Sequence, residues 1–188
     1  TGRYDWFYEG FALYQSLRVG VAVNRIRFDD LLDTLSRAWS IDRSQTTRRS
    51  LIETSRQRWN GAETHLYARG MVVAFLCDLL LLQNSNGKAS LEHLMARLYS
   101  AHRPPAAAAD AGTSVLALLE KEPALAAVAA KYVRGAEAID WADIIGAAGI
   151  EADAGPPRGL RVKPQLNRKQ KALLDKLGYN NWRKLTRE

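Results

Sequence analysis

From Met71 to Leu82 the chain reads Met-Val-Val-Ala-Phe-Leu-Cys-Asp-Leu-Leu-Leu-Leu, twelve residues that are apolar except for Asp78. A helix that is apolar nearly all round is a buried one. Twelve residues are too few to cross a bilayer, which takes about twenty. The run therefore reads as the centre of a core helix from about Glu63 to Gln83, against which the rest of the chain must pack. The lone Cys77 inside it excludes a disulfide framework and a cysteine-based metal site, and reads as a small buried hydrophobe.

A second strongly apolar helix opens the chain with Trp6-Phe7-Tyr8-Glu9-Gly10-Phe11-Ala12-Leu13-Tyr14. At about 100° per residue, Trp6, Leu13 and Leu17 form one apolar stripe, and Phe7, Phe11 and Tyr14 form another beside it. The expectation is a helix from about Asp5 to Val19 with little surface left for water, ending near Gly20. Glu9 lies on the remaining narrow strip with Asp5 and Ser16. A carboxylate there needs a partner, a metal or a polar cavity. The simpler reading is an acid in the first turn, favoured by the helix dipole.

The remaining pattern is helical almost throughout. Phe28, Leu31, Leu32 and Leu35 have amphipathic spacing and predict a helix to Trp39, followed by a loop from Ser40 to Arg49. Ser50 with Glu53 has the capping-box form and predicts a short helix to about Arg58, closed by Trp59-Asn60-Gly61. After a turn at Asn84 to Lys88, Ser90 begins another helix ending near Tyr99, with His93 as a surface or packed residue. Pro104 to Ala109 reads as a connecting loop. Helical spacing returns from Thr113 and again after Pro123, stops at Gly135, and resumes where Asp140 caps Trp141 to Ile145, ending at Gly149.

No alternating strand appears up to Ile150, so the predicted fold is an all-α, multi-helix bundle over residues 1–153. Residues 154–188 read as a linker, Ala154-Gly155-Pro156-Pro157, and a basic C-terminal extension. Within that extension, Gly159 to Pro164 is a short extended segment and Asn167 caps a helix ending at Gly178, with Trp182 and Leu185 in a last turn.

The net charge of +7 belongs to this extension. Residues 158–188 carry ten Lys or Arg against Asp175 and Glu188, a balance of +8, so the rest of the chain sums to −1. The basic balance thus describes the tail and says nothing of the main body. Ten cations near Tyr179 and Trp182 could contact nucleic acid or anionic lipid, but no nucleic-acid motif is present and a basic terminal helix is usually a solvated face. No signal peptide is visible from Thr1, and the compartment stays open because the chain starts inside a motif.

Trp6-Phe7-Tyr8-Glu9-Gly10-Phe11 resembles the third-ligand helix of gluzincin zinc metallopeptidases, and three further segments match in order. Tyr67-Ala68-Arg69-Gly70 is similar to the Tyr-x-Lys-Gly that opens a long core helix in these aminopeptidases, with Arg69 in place of the lysine. Ser50 to Ser55 with Trp59, then Leu79 to Lys88 and Ser90 to Met95, follow the order of glycyl-aminopeptidase-like enzymes. Tyr132-Val133-Arg134-Gly135, Ile139-Asp140-Trp141 and Ala147 to Ile150 look like the end of their helical catalytic domain. The resemblance covers about residues 4 to 150.

The resemblance implies that Glu9 is a zinc ligand and that Tyr67 donates a hydrogen bond to the tetrahedral intermediate. A His, His and Glu ligand set leaves a fourth zinc position for water, and a phenol protonated at neutral pH suits an oxyanion donor. One departure is decisive for activity. His65, His93 and His102 are the only histidines, and none belongs to an H-E-x-x-H pair. By the resemblance, the two zinc histidines and the general-base glutamate lie upstream, so this is the C-terminal part of a longer enzyme acting on peptides.

The fragment alone is then expected to be inactive and to bind no zinc. Apolar surface left where the missing N-terminal part should pack could make it a homodimer. The alternative reading is a non-catalytic helical binding or scaffold module with a basic tail.

Overall fold

The protein is described by a computed structural model covering residues 4–103, 111–153 and 159–181. The expected loop at 104–109, the linker at 154–157 and the last turn at Trp182 and Leu185 lie outside the described residues. The fold is mostly helical and its axis is α4, Glu63–Asn84. Every residue of α4 from Ala68 to Leu79 is buried. By length and composition α4 could cross a bilayer, but 83% of its apolar window is covered by the protein itself.

Against α4 pack the opening π-helical segment Trp6–Phe11, which continues as α1, Ala12–Ala22, and on another side α2, Phe28–Arg43. Then come α3, Leu51–Arg56, and a single 3₁₀ turn, Arg58–Asn60. After α4 follow α5, Leu91–His102, α6, Ala111–Lys121, and α7, Ala126–Val128, which runs into a second π-helical segment, Ala129–Arg134. The last helices are α8, Ala142–Ala147, and α9, Arg168–Lys176. Between these two, β1, Ile150–Ala152, pairs antiparallel with β2, Leu160–Val162, with Ile150 opposite Val162 and Ala152 opposite Leu160. This two-stranded ribbon leaves the fold an all-α bundle.

The capping signals at Ser50 and Asn167 act where the sequence put them. Ser50 Oγ accepts from the Glu53 N–H at 3.1 Å, and Glu53 Oε2 accepts from the Ser50 N–H at 3.0 Å, starting α3. Asn167 and Gln170 make the same exchange at α9. His93 does so at α5, where its Nδ1 accepts the Ser90 N–H at 3.2 Å. Asp140 does not cap α8. Trp141 occupies that position without a side-chain bond, and the Asp140 backbone is instead held by the Tyr132 hydroxyl.

Several helix ends differ from the sequence expectation, among them that of α5, which runs to His102 and not to Tyr99. Gly20 does not stop α1; the reversal comes at Asn24, which adopts φ 56, after the helix reaches Ala22. Nor does α2 end at Trp39. Residues Ser40 to Arg43 stay helical, because Asp42 on that extra turn forms a buried ion pair with Arg69 of α4 at 2.9 Å.

The opening helix is also less enclosed than its composition implied. Trp6, Phe11 and Tyr14 are buried, but Tyr8, Leu13 and Val19 are exposed. A π turn bonds i to i+5, so the 100° wheel that grouped Leu13 with Trp6 does not hold across Trp6–Phe11.

Candidate active site

The two helices named by the sequence cross at a pair of glycines. A Cβ placed on Gly10 would lie 2.5 Å from Gly70 Cα, inside any permitted contact. Only glycine lets the π segment come this close to α4. Glu9 immediately precedes one glycine and Tyr67 lies three residues before the other, so the close crossing draws both side chains to one place. A hydrogen bond from the Trp6 N–H to Ser55 Oγ at 3.0 Å fixes the π segment against α3.

At that place Glu9 and Tyr67 are brought together on one guanidinium, that of Arg58. The neighbouring Glu9 carboxylate and partial burial hold the Tyr67 phenol above its ordinary pKa, while Arg58 pulls the other way. A phenol so shifted stays protonated at neutral pH and keeps a proton to donate.

The residue that organises the pair is Arg58, which the sequence showed only as a helix end. Its Nη1 is 2.7 Å from Glu9 Oε1 and 3.6 Å from Asp5 Oδ2. Its Nη2 is 3.2 Å from Glu63 Oε1 and 3.4 Å from Tyr67 Oη. The guanidinium also lies 4.8 Å from the centre of the exposed Trp59 ring. Asp5 and Glu9 stand four apart on one helix, and Glu63 and Tyr67 four apart on the other. Asp5 and Glu9 on one helix and Glu63 on the other were the available signal that acids gathered here and needed a cation between them.

Arg69, two residues past Tyr67, faces elsewhere. It is buried, pairs with Asp42, and donates to the Glu137 carbonyl at 2.8 Å. His65 lies against Gln45 on that same side of α4. Neither joins Glu9 and Tyr67.

Glu9 fits the share of one metal ligand. It is an anionic oxygen donor, and its side chain is 25% exposed. Among the described residues, no group of three His, Cys, Asp or Glu side chains is placed to hold a metal ion.

No protein-family model and no curated protein matches the chain. Among solved structures, it is similar to the crystal structure of an aminopeptidase N family protein from Idiomarina loihiensis, with a TM-score of 0.68 and 20% sequence identity. The match covers 79% of this chain and 28% of that one, so this chain spans little more than a quarter of that protein's length. What the two share, at that identity, is the fold of a helical part of an aminopeptidase N family protein.

Proposed function

We propose that this chain is the helical part of the catalytic domain of a zinc-dependent, aminopeptidase-like peptidase. The observation that carries the reading is the convergence of Glu9 and Tyr67 on the Arg58 guanidinium, across the glycine crossing of two helices. The shared fold with part of an aminopeptidase N family protein supports it. Glu9 would be one carboxylate ligand, and zinc, when bound, supplies Lewis-acid polarisation and a water nucleophile at neutral pH. Tyr67, kept protonated beside Glu9, would donate its hydroxyl proton in a hydrogen bond to the developing oxyanion of a peptide substrate. The glycine crossing holds the two groups in register, so neither needs to be ordered at the moment of reaction.

The other two ligands and the general base would come from a longer protein that contains this chain. The 188 residues are therefore expected to hydrolyse no aminoacyl anilide, with or without added zinc, because one carboxylate does not make a three-ligand site. Zinc-dependent turnover by this chain alone would overturn the reading. In a parent carrying an H-E-x-x-H helix, Glu9→Gln should release zinc. Tyr67→Phe should keep zinc and lower kcat by about 10²- to 10³-fold.

A second reading has its own observation. Arg58 neutralises Glu9 within the chain, which suits a homologue that uses this face only as a scaffold. A parent without H-E-x-x-H, and without measurable zinc, would establish that reading instead.

A further inference from the structure

A groove between the end of α4, α8 and α9 takes no part in the site around Glu9 and Tyr67. It is a half-open cavity of about 310 Å³, to which α9 contributes Lys169, Ala172, Leu173 and Lys176, α8 contributes Ala147, and the turn after α4 contributes Gly87. Lys169 and Lys176 stand two turns apart on one face of α9, and the side chains of both are exposed, so a ligand can reach either ammonium. A Cβ on Gly87 would lie 3.4 Å from Lys176 Cγ and Cε, so the Lys176 stem lies against the turn that forms one wall. No carboxylate lines the cavity, and among the described residues neither lysine has a carboxylate partner. Asp175, beside Lys176 in the chain, accepts from the Asn180 amide instead. The other polar groups of the wall are largely taken. The Gly87 N–H donates to the Leu82 carbonyl at 2.7 Å, and the Gln83 amide donates to the Ile144 carbonyl at 2.7 Å.

We infer that this groove binds the carboxylate form of a medium-chain fatty acid. The lysines at the rim supply charge-assisted donors to the carboxylate, and Ala147, Ala172 and Leu173 offer the chain an apolar surface that removes it from water. At about 30 Å³ per water-sized group, the space admits on the order of ten such groups, the size of octanoate. A peptide C-terminus is disfavoured, because it brings amide groups that the wall has few free partners to satisfy. A cationic amphiphile meets like charge, and a small anion leaves the apolar surface uncovered. The site gives the unpaired charge of α9 a ligand. It is independent of zinc and of the peptidase reading, and it does not include Glu9 or Tyr67.

The test is isothermal titration of the 188-residue chain with octanoate as the probe. Acetate, 1-octanol, octylamine and N-acetyl-dileucine with a free carboxylate are the comparisons. Burying one methylene is worth about fourfold in affinity, so a half-open groove covering about three of them should favour octanoate over acetate by about sixtyfold. The charge should favour it over 1-octanol by about tenfold. Amide resonances place the ligand: saturating octanoate should shift those of Gly87, Ala147 and Leu173, and leave those of Val19 and Val23, exposed on the first helix, in place.

Two variants at exposed positions keep the fold and remove the site. Ala172→Glu sets a carboxylate among the groove residues, and Lys169→Gln with Lys176→Gln removes both cations. Each should weaken octanoate by about tenfold or more while the thermal midpoint stays near that of the parent chain. The inference is overturned if octanoate does not saturate a single site, or if acetate, 1-octanol, octylamine or the dileucine carboxylate binds as tightly. It is also overturned if the shifts gather at Val19 and Val23, or if both variants bind octanoate as the parent chain does.

Discussion

Asp78 shows how one side chain can tie several helices together. It is buried in the middle of α4, where a lone carboxylate would be expensive. Its Oδ2 accepts the Tyr14 hydroxyl at 2.7 Å and Arg18 Nε at 3.2 Å, and its Oδ1 accepts the Leu91 N–H at 2.8 Å. Burial, with Asp78 beside it, pushes the Tyr14 phenol well above its ordinary pKa, so it remains a donor. Removing the acceptor strands two donors and a cation, whereas removing one donor loses a single bond. Asp78→Ala should cost about 3–5 kcal/mol and Tyr14→Phe about 0.5–1.5 kcal/mol, read from urea unfolding. Equal losses in the two variants would refute the hub. The sequence displayed Asp78 as the exception in an apolar run. It did not display the partners, because Tyr14 and Arg18 reach it from 64 and 60 positions away. Arg58 was hidden for the same reason: an arginine at a helix end has no local mark of the four groups it will gather.

At the level of elements, what the sequence disclosed was whatever local chemistry decides. The Ser50–Glu53 box, the Asn167 cap and the length of α4 all follow from short-range spacing and are found in place. Where a tertiary contact decides, the pattern misled: α2 gains a turn from the Asp42–Arg69 pair, and the π turn rotates Leu13 outward. Glu9 and Tyr67 were legible as residues through their motifs. Their meeting depends on the glycine crossing, which no periodicity records. That crossing can be tested. The Cβ of Gly10→Ala would collide with α4 backbone at Gly70 Cα and Met71 N, which cannot rotate away. The helices must separate, at a cost of about 1–3 kcal/mol. The expected outcome is a lower urea midpoint together with an upfield or downfield shift of the Tyr67 ring resonances as it moves away from Arg58 and Glu9. An unchanged midpoint and unchanged Tyr67 resonances would show that the crossing does not position the pair.

Across the whole molecule, the question is whether the basic C-terminal stretch rides on the body or belongs to it. Leu160, Leu174 and Leu177 are buried in the common core, and Tyr179 packs edge to face on Phe28 with ring centres 5.4 Å apart. The Leu160 N–H donates to Ser36 Oγ at 2.8 Å, so β2 is fastened to α2. Arg18 completes the join, since the guanidinium that pairs with Asp78 also donates to the carbonyls of Lys176 and Leu177. The core residue Asp78 and the end of α9 therefore share one cation. The positive charges of α9 point the other way: Arg168, Lys169, Lys171 and Lys176 are exposed. Cutting the chain at Gly155 to ask whether its charge binds nucleic acid would remove part of the core along with the charge. Substitution separates the two. Leu174→Ala should cost about 2–5 kcal/mol, with helix circular dichroism and tryptophan fluorescence still unfolding in one coincident transition. Replacing Lys169 and Lys171 by Gln should move stability by no more than about 0.5 kcal/mol. An early, separate transition in the parent chain, or a Leu174→Ala variant as stable as the lysine variant, would show that residues 159–181 are an appendage and not a part of the bundle.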